Sequence, residues 1–267
     1  MTKLENVVKQ IAEIKSTIED NGYNENLGSR LQELQEELTL LRGTQYGTLA
    51  YAESCRDELL NRSSDVKQDL DNMINAKLSE VSYWKYANGD YFNPIPYYNE
   101  INSFKMGRVL KNVAESDRFK KRDIYSFGFN SSDQLVITQY SNDSSGENYN
   151  KFGVTTIMYT TNPDGSIDRY AATWYPTNEQ PNRLDGLVAY KPLSDKSWIY
   201  VGAGDRSWLT MHYIYSETDR LERVVNGGTW GGRVLFDFYD FIYRQDGDLE
   251  KIISEHETIW KSKAKKA

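Results

Sequence analysis

The chain has 267 residues, a formal net charge of −7 and a sequence pI near 5.1, long enough for one large domain or two smaller ones. That balance argues against a nucleic-acid-binding surface, because holding phosphates takes clustered Lys and Arg, and it favours a basic partner over an acidic one. A single cysteine, Cys55, allows no internal disulfide, and no run of eighteen apolar residues marks a membrane span, so a reducing, cytoplasmic setting is expected.

The first eighty residues are rich in Leu, Glu, Lys, Gln and Asn, whereas most of the 20 Tyr, 6 Trp and 9 Phe lie after Tyr83. Helices should therefore come first and strands follow. Leu4, Val7, Ile11, Ile14 and Ile18 recur at spacings of three and four, one face of a helix that Asn21-Gly22 ends. Leu27, Leu31, Leu34, Leu38 and Leu41 repeat the pattern up to Gly43. Neither helix can bury its stripe alone, so the two should form an antiparallel hairpin with coiled-coil-like packing, a surface through which a homodimer could also assemble. A third helical segment runs from Gln45 to about Tyr83, on the order of 60 Å if straight, with Asn61 to Asp65 as the place where it can break and restart.

Asn88-Gly89-Asp90 and Pro94-Ile95-Pro96 punctuate the chain. They divide a helical arm, residues 1–87, from a β-meander domain, residues 88–267. Periodicity leaves Asn99 to Phe119 open between a helix and an irregular crossover. Strands are expected near Ile124–Phe129, Gln134–Tyr140, Val154–Thr160, Ile167–Tyr175, Gly186–Tyr190, Trp198–Gly202, Trp208–Tyr215, Leu221–Val225, Val234–Tyr243 and Leu249–Ile253, with Ser254 to Lys263 read as a short final helix. The fold class is α+β: a helical hairpin and a long helix, then an antiparallel meander that either takes a helical cover or curls into a barrel-like shape.

One theme recurs in the second half. An aromatic precedes a Leu by six residues across a polar turn at Phe129 and Leu135, at Tyr215 and Leu221, and at Tyr243 and Leu249. A fourth copy joins Tyr159 to Ile167 through Asn162-Pro163-Asp164-Gly165. These are β-hairpins. Their acidic residues Asp133, Asp164, Asp219 and Asp246 could serve as paired carboxylates, but repetition at equivalent places is what turns produce, whereas catalysis needs one asymmetric constellation.

The candidate binding residues fall in three places. Asn226-Gly227-Gly228-Thr229-Trp230-Gly231-Gly232-Arg233 reads as a hairpin loop presenting Trp230 and Arg233; strands flank it, so it is not a phosphate loop opening a helix. Asp205, Arg206 and Trp208 mark a second glycine-bearing turn able to hold a polar ligand. Tyr97 and Tyr98 belong to the densest aromatic group, with Tyr83, Trp84, Tyr86 and Tyr91, which can pack the helix-to-sheet junction or form a binding face. His212, His256 and Cys55 assemble no metal or nucleophile pattern, so no catalytic residue, metal or cofactor is expected.

Tyr213-Ile214-Tyr215 followed by Asp219-Arg220-Leu221, and Tyr243 followed by Asp246-Gly247-Asp248-Leu249, resemble the tyrosine-and-aspartate repeats of bacterial Rhs-type toxin shells. They are also similar to β-meander proteins that act as immunity partners of secreted bacterial toxins. The likeness covers about half the chain and carries over no site residue. It implies a non-enzymatic protein that neutralises a basic toxin domain by occlusion. Two other classes stand beside it: a hydrolase or carbohydrate-binding protein with an aromatic, acidic cleft, and a structural adaptor assembled through its helical arm.

Overall fold

A computed structural model describes residues 3–46, 49–119, 124–143, 148–177, 180–203, 208–230, 233–254 and 257–262. Helices α1 (Lys3–Asn21), α2 (Glu25–Tyr46) and α3 (Leu49–Glu80) come first. They are followed by strand β1 (Tyr83–Ala87), a connector holding helix α4 (Tyr98–Ile101), and β2 (Val109–Leu110). Next are β3 (Tyr125–Phe129), β4 (Leu135–Ser141), helix α5 (Tyr149–Phe152), β5 (Val154–Thr161), β6 (Ile167–Trp174), β7 (Arg183–Ser194) and β8 (Ser197–Ala203). The chain ends with β9 (Trp208–Tyr215), β10 (Leu221–Trp230), β11 (Arg233–Tyr243), β12 (Leu249–Ile253) and β13 (Thr258–Lys261).

All the strands join one antiparallel sheet of 13, in the order β13-β12-β11-β10-β9-β8-β7-β6-β5-β4-β3-β1-β2. The α+β class and the meander hold, and the sheet is open rather than a closed barrel. It is nonetheless bent. Eleven strand spacings separate β1 from β13, on the order of 50 Å in a flat sheet. The chain from Ala87 to Tyr98 reaches at most about 40 Å when fully extended, yet α4 touches β13. The sheet must therefore curl around the connector.

Each face has its own core. On one, α3 lays Cys55, Leu59, Val66, Leu70 and Ile74 against Met158, Ala172, Leu187, Ile199 and Val201. Arg62 of the same helix donates to the Tyr170 hydroxyl at 2.6 Å. On the other, Ile95 and Ile101 of the connector pack with Phe127, Tyr159, Tyr200, Tyr213 and Phe241. The α1–α2 hairpin buries Val7, Ile11 and Leu34 in a separate seam, as its stripes predict.

The expected hairpins are present, and the aromatic-to-Leu spacing becomes direct cross-strand pairing: Phe129 with Leu135, Tyr215 with Leu221, and Tyr243 with Leu249. Four turns repeat one geometry. Asn130, Asn162, Ser216 and Arg244 each receive at their carbonyl the N–H of Asp133, Gly165, Asp219 and Gly247. Those four residues have φ of 59°, 82°, 59° and 88°, the left-handed position of a three-residue hairpin loop with its bulge. Asp164 and Asp246 accept backbone N–H bonds inside their own turns, so the acidic repeat is turn chemistry.

Several boundaries differ from expectation. Helix α2 runs past Gly43 to Tyr46, because one glycine inside a helix costs only about 1 kcal/mol. Helix α3 passes unbroken through Asn61 to Asp65, since burial of Leu59 and Val66 on the sheet outweighs the local capping signal. Tyr83, Trp84 and Tyr86 form strand β1 rather than a helix end, paired in register with β3. The segment expected as a final helix contains strand β13, which finds in β12 a paired edge.

Candidate functional site

The strand ends that flank the two glycine-bearing turns lie at one end of the sheet. The stretch read as a loop over Asn226 to Arg233 is strand up to Trp230, which pairs directly with Arg233 across the hairpin; Gly231 and Gly232 lie outside the described residues. Asp205 and Arg206 also lie outside them. Trp208 opens β9 opposite Ala203, and its neighbour Leu209 pairs with Gly228. Trp208 and Trp230 thus sit on adjacent strands near one rim, far along the chain from Tyr97 and Tyr98.

Those two tyrosines belong to the connector, whose geometry is set locally. The Asn93 side chain accepts the N–H of Ile95 at 3.0 Å, and Tyr97, at φ 54°, precedes α4 in left-handed backbone. A bulky residue holds that conformation only where its surroundings fix it. Tyr97 lies 5.0 Å from the Phe241 ring, Tyr98 5.7 Å from Tyr200, and Tyr91 meets Phe127 edge-on at 5.9 Å. Most of the dense aromatic group therefore packs the junction. Three apolar side chains pack on one side only: Phe92 meets Phe129 at 6.0 Å and Phe104 meets Tyr98 at 6.1 Å, yet Phe92, Phe104 and Met106 remain 40, 50 and 48% exposed.

Beside them the connector folds around a recess of about 320 Å³, lined among others by Tyr91, Phe92, Tyr97, Tyr98, Asn99 and Glu100. Asn99 is only 3% exposed. Its amide nitrogen donates to the Met106 sulfur at 3.2 Å, while its Oδ1 has no partner. The same side chain bonds the Asp90 carboxyl, whose pKa is raised because burial outweighs the help of Asn99 and of the nearby Arg169 guanidinium.

Arg169, projecting from β6, is hydrogen-bonded to the Tyr159 hydroxyl. Burial works against its charge, but Tyr159, Tyr200 and Tyr98 more than offset this and raise its pKa. Burial also pushes Tyr159 and Tyr200 upward. Behind Asn99 thus lie one guanidinium, one carboxyl that ionises reluctantly and several protonated phenols, an arrangement that orders a polar network and places no nucleophile beside a base. Among the described residues no group of three His, Cys, Asp or Glu could hold a metal, and no helix is long and apolar enough to cross a membrane.

A second polar cluster lies on the helix-facing side of β1, β3, β4 and β5. The Arg118 guanidinium sits 3.4 Å over the Trp84 ring and donates to Gln139, which in turn donates to Thr156 at 3.1 Å. Burial lowers the Arg118 pKa to about 10, and its Nε is without a partner.

Sequence reasoning missed Asp90, Asn99, Arg169 and Arg118. The first two stand in stretches that read as punctuation or as an undecided crossover. Arg118 opens a short basic run, 118–122, that gave no sign of burial; only a lone Arg at an inward strand position, such as Arg169 between Asp168 and Tyr170, could have flagged a buried polar site. The fold and site together define a curled, open meander whose concave face is plugged by its own connector. Comparison of the chain with protein-family models, curated proteins and solved structures gave no match.

Proposed function

We propose that this chain is a non-catalytic protein-binding protein, and most concretely an inhibitor of the immunity type that neutralises a basic toxin domain by covering it. The observation that carries this reading is the exposure of Phe92 and Met106 at the connector recess and of Phe104, whose ring lies 6.1 Å from that of Tyr98 in the recess wall. Large apolar side chains gathered at one place on a water-facing surface mark an interaction site. The net charge of −7 favours a basic partner and would speed the encounter. The tyrosines beneath the recess hold the connector rigid, which lowers the entropy lost on binding.

Occlusion requires an intact face and no reactive group. The test is to purify the partner from the native host, establish that it is toxic without this chain, and measure its affinity for a panel of variants. Phe104→Ser and Met106→Ser should each weaken binding by about 2 kcal/mol if they are anchors, while Asp133→Asn and Asp246→Asn leave it unchanged. Trp230→Ala reports whether the turn end of the sheet contributes as well. A folded carboxylate variant that binds normally but loses all inhibitory activity would sink the occlusion reading.

A further inference from the structure

The recess has a chemistry more specific than an apolar anchor site. Tyr91, Phe92, Tyr97 and Tyr98 supply four aromatic rings around it, and Glu100 supplies a carboxylate. Asn99 gives its amide nitrogen to Met106 and Asp90, so what remains of its side chain is an unpartnered acceptor oxygen. Among the described residues no Lys, Arg or His lines the recess. Aromatic walls attract cations through the ring quadrupole, and the Glu100 carboxylate asks for a ligand rich in N–H. Resting on the reading of a basic protein partner, we propose that the recess receives an arginine side chain of that partner.

Arginine fits better than lysine on three counts. Its planar guanidinium can lie against a ring while keeping its edge free, its forked N–H groups match a carboxylate, and it sheds water more readily than an ammonium. Here the edge would meet Glu100 while a face lies along the tyrosines, with Asn99 buried close behind them. A volume of about 320 Å³ has room for one such side chain.

The test uses the full chain labelled with nitrogen-15, with N-acetyl-arginine amide as the probe. Its neutral isostere N-acetyl-citrulline amide and tetramethylammonium serve as controls. The arginine probe should produce a saturable shift of the Asn99 side-chain amide, with citrulline binding about tenfold weaker or worse. Glu100→Gln should weaken the arginine probe about tenfold, and Phe92→Leu severalfold, with both variants unfolding at the wild-type denaturant midpoint. Equal binding of arginine and citrulline, an unaltered affinity in Glu100→Gln, or no response at Asn99 would overturn the assignment. Tighter binding of tetramethylammonium than of the arginine probe would also overturn it, pointing to a free alkylammonium ligand. If the arginine probe fails while Phe104→Ser still abolishes partner binding, only the arginine assignment falls; if Phe104→Ser also leaves the partner bound, the binding face itself is misplaced.

Discussion

The ring of Tyr98 lies 5.7 Å from that of Tyr200, and their hydroxyls are hydrogen-bonded, which fastens the connector to a strand near the middle of the sheet. Ile95, three residues earlier and 1% exposed, is the apolar counterpart of that clasp. Truncating Ile95 to Ala should destabilise the protein by about 2–5 kcal/mol through the lost burial and the cavity left behind. Tyr98→Phe, which keeps the ring and drops one hydroxyl, should cost only about 1 kcal/mol. Denaturant titrations of the two variants check the ratio; equal small losses would mean that the connector is not a structural plug.

The four equivalent turns make a sharper claim. Asp219 occupies the left-handed position that Gly247 occupies in the last hairpin. Asp219→Gly relieves backbone strain and gives up an exposed ion pair with Lys196, a pair of little value in solvent, so stability should stay within about 0.5 kcal/mol. Gly247→Val forces a branched side chain into left-handed backbone and should cost roughly 1–2 kcal/mol or more. Thermal unfolding of both would decide; a tolerated valine would show that this turn relaxes to another geometry.

Arg169 and Asp90 should respond unequally. Arg169→Met removes a charged hydrogen bond to Tyr159 and leaves the buried polar network without its cation, a loss of about 1.5–3 kcal/mol. Asp90→Asn should cost much less at neutral pH, because burial already disfavours the Asp90 charge. The sign follows from the raised pKa: the folded chain holds the Asp90 proton more readily than the unfolded one, so this group's contribution is present at low pH and is lost as pH rises through the folded value. Stability of wild type and Asp90→Asn across the acid range should converge or cross accordingly. A large loss for the Asn variant at pH 7 would contradict this account.

His212 gives the opposite pH dependence. It is buried between Ile199 and Val225 on the neighbouring strands, neither ring nitrogen has a partner, and burial lowers its pKa to about 4. Unfolded, it takes up a proton near pH 6.5; folded, it resists. Its contribution is therefore complete above pH 6.5 and is lost as pH falls toward 4, amounting to about 2 kcal/mol between pH 7 and 5. His212→Phe should flatten the stability profile over that interval by this amount, as read from urea midpoints at fixed pH values. An unchanged slope would mean that His212 is solvated or paired in solution.

How much of this was legible in the sequence depends on the range of the interactions involved. The helical stripes of Val7, Ile11 and Leu34, the hairpin turns at Asp133, Gly165, Asp219 and Gly247, and the pairing of Phe129 with Leu135 are short-range. Residue periodicity and turn conformation fix them within a few positions, so the α+β class and the meander could be read directly. The fate of Gly43, of Asn61 to Asp65 and of the final segment could not, because each local signal is worth about 1 kcal/mol and burial or strand pairing against a distant element overrides it. The recess is further still from local rules. Its walls come from one connector, but its shape depends on contacts with β3, β8 and β11, and behind it Asp90 joins Asn99 to Arg169 of β6. Only the curl of the sheet brings those strands together around the connector, and curl is a property of all the strands at once.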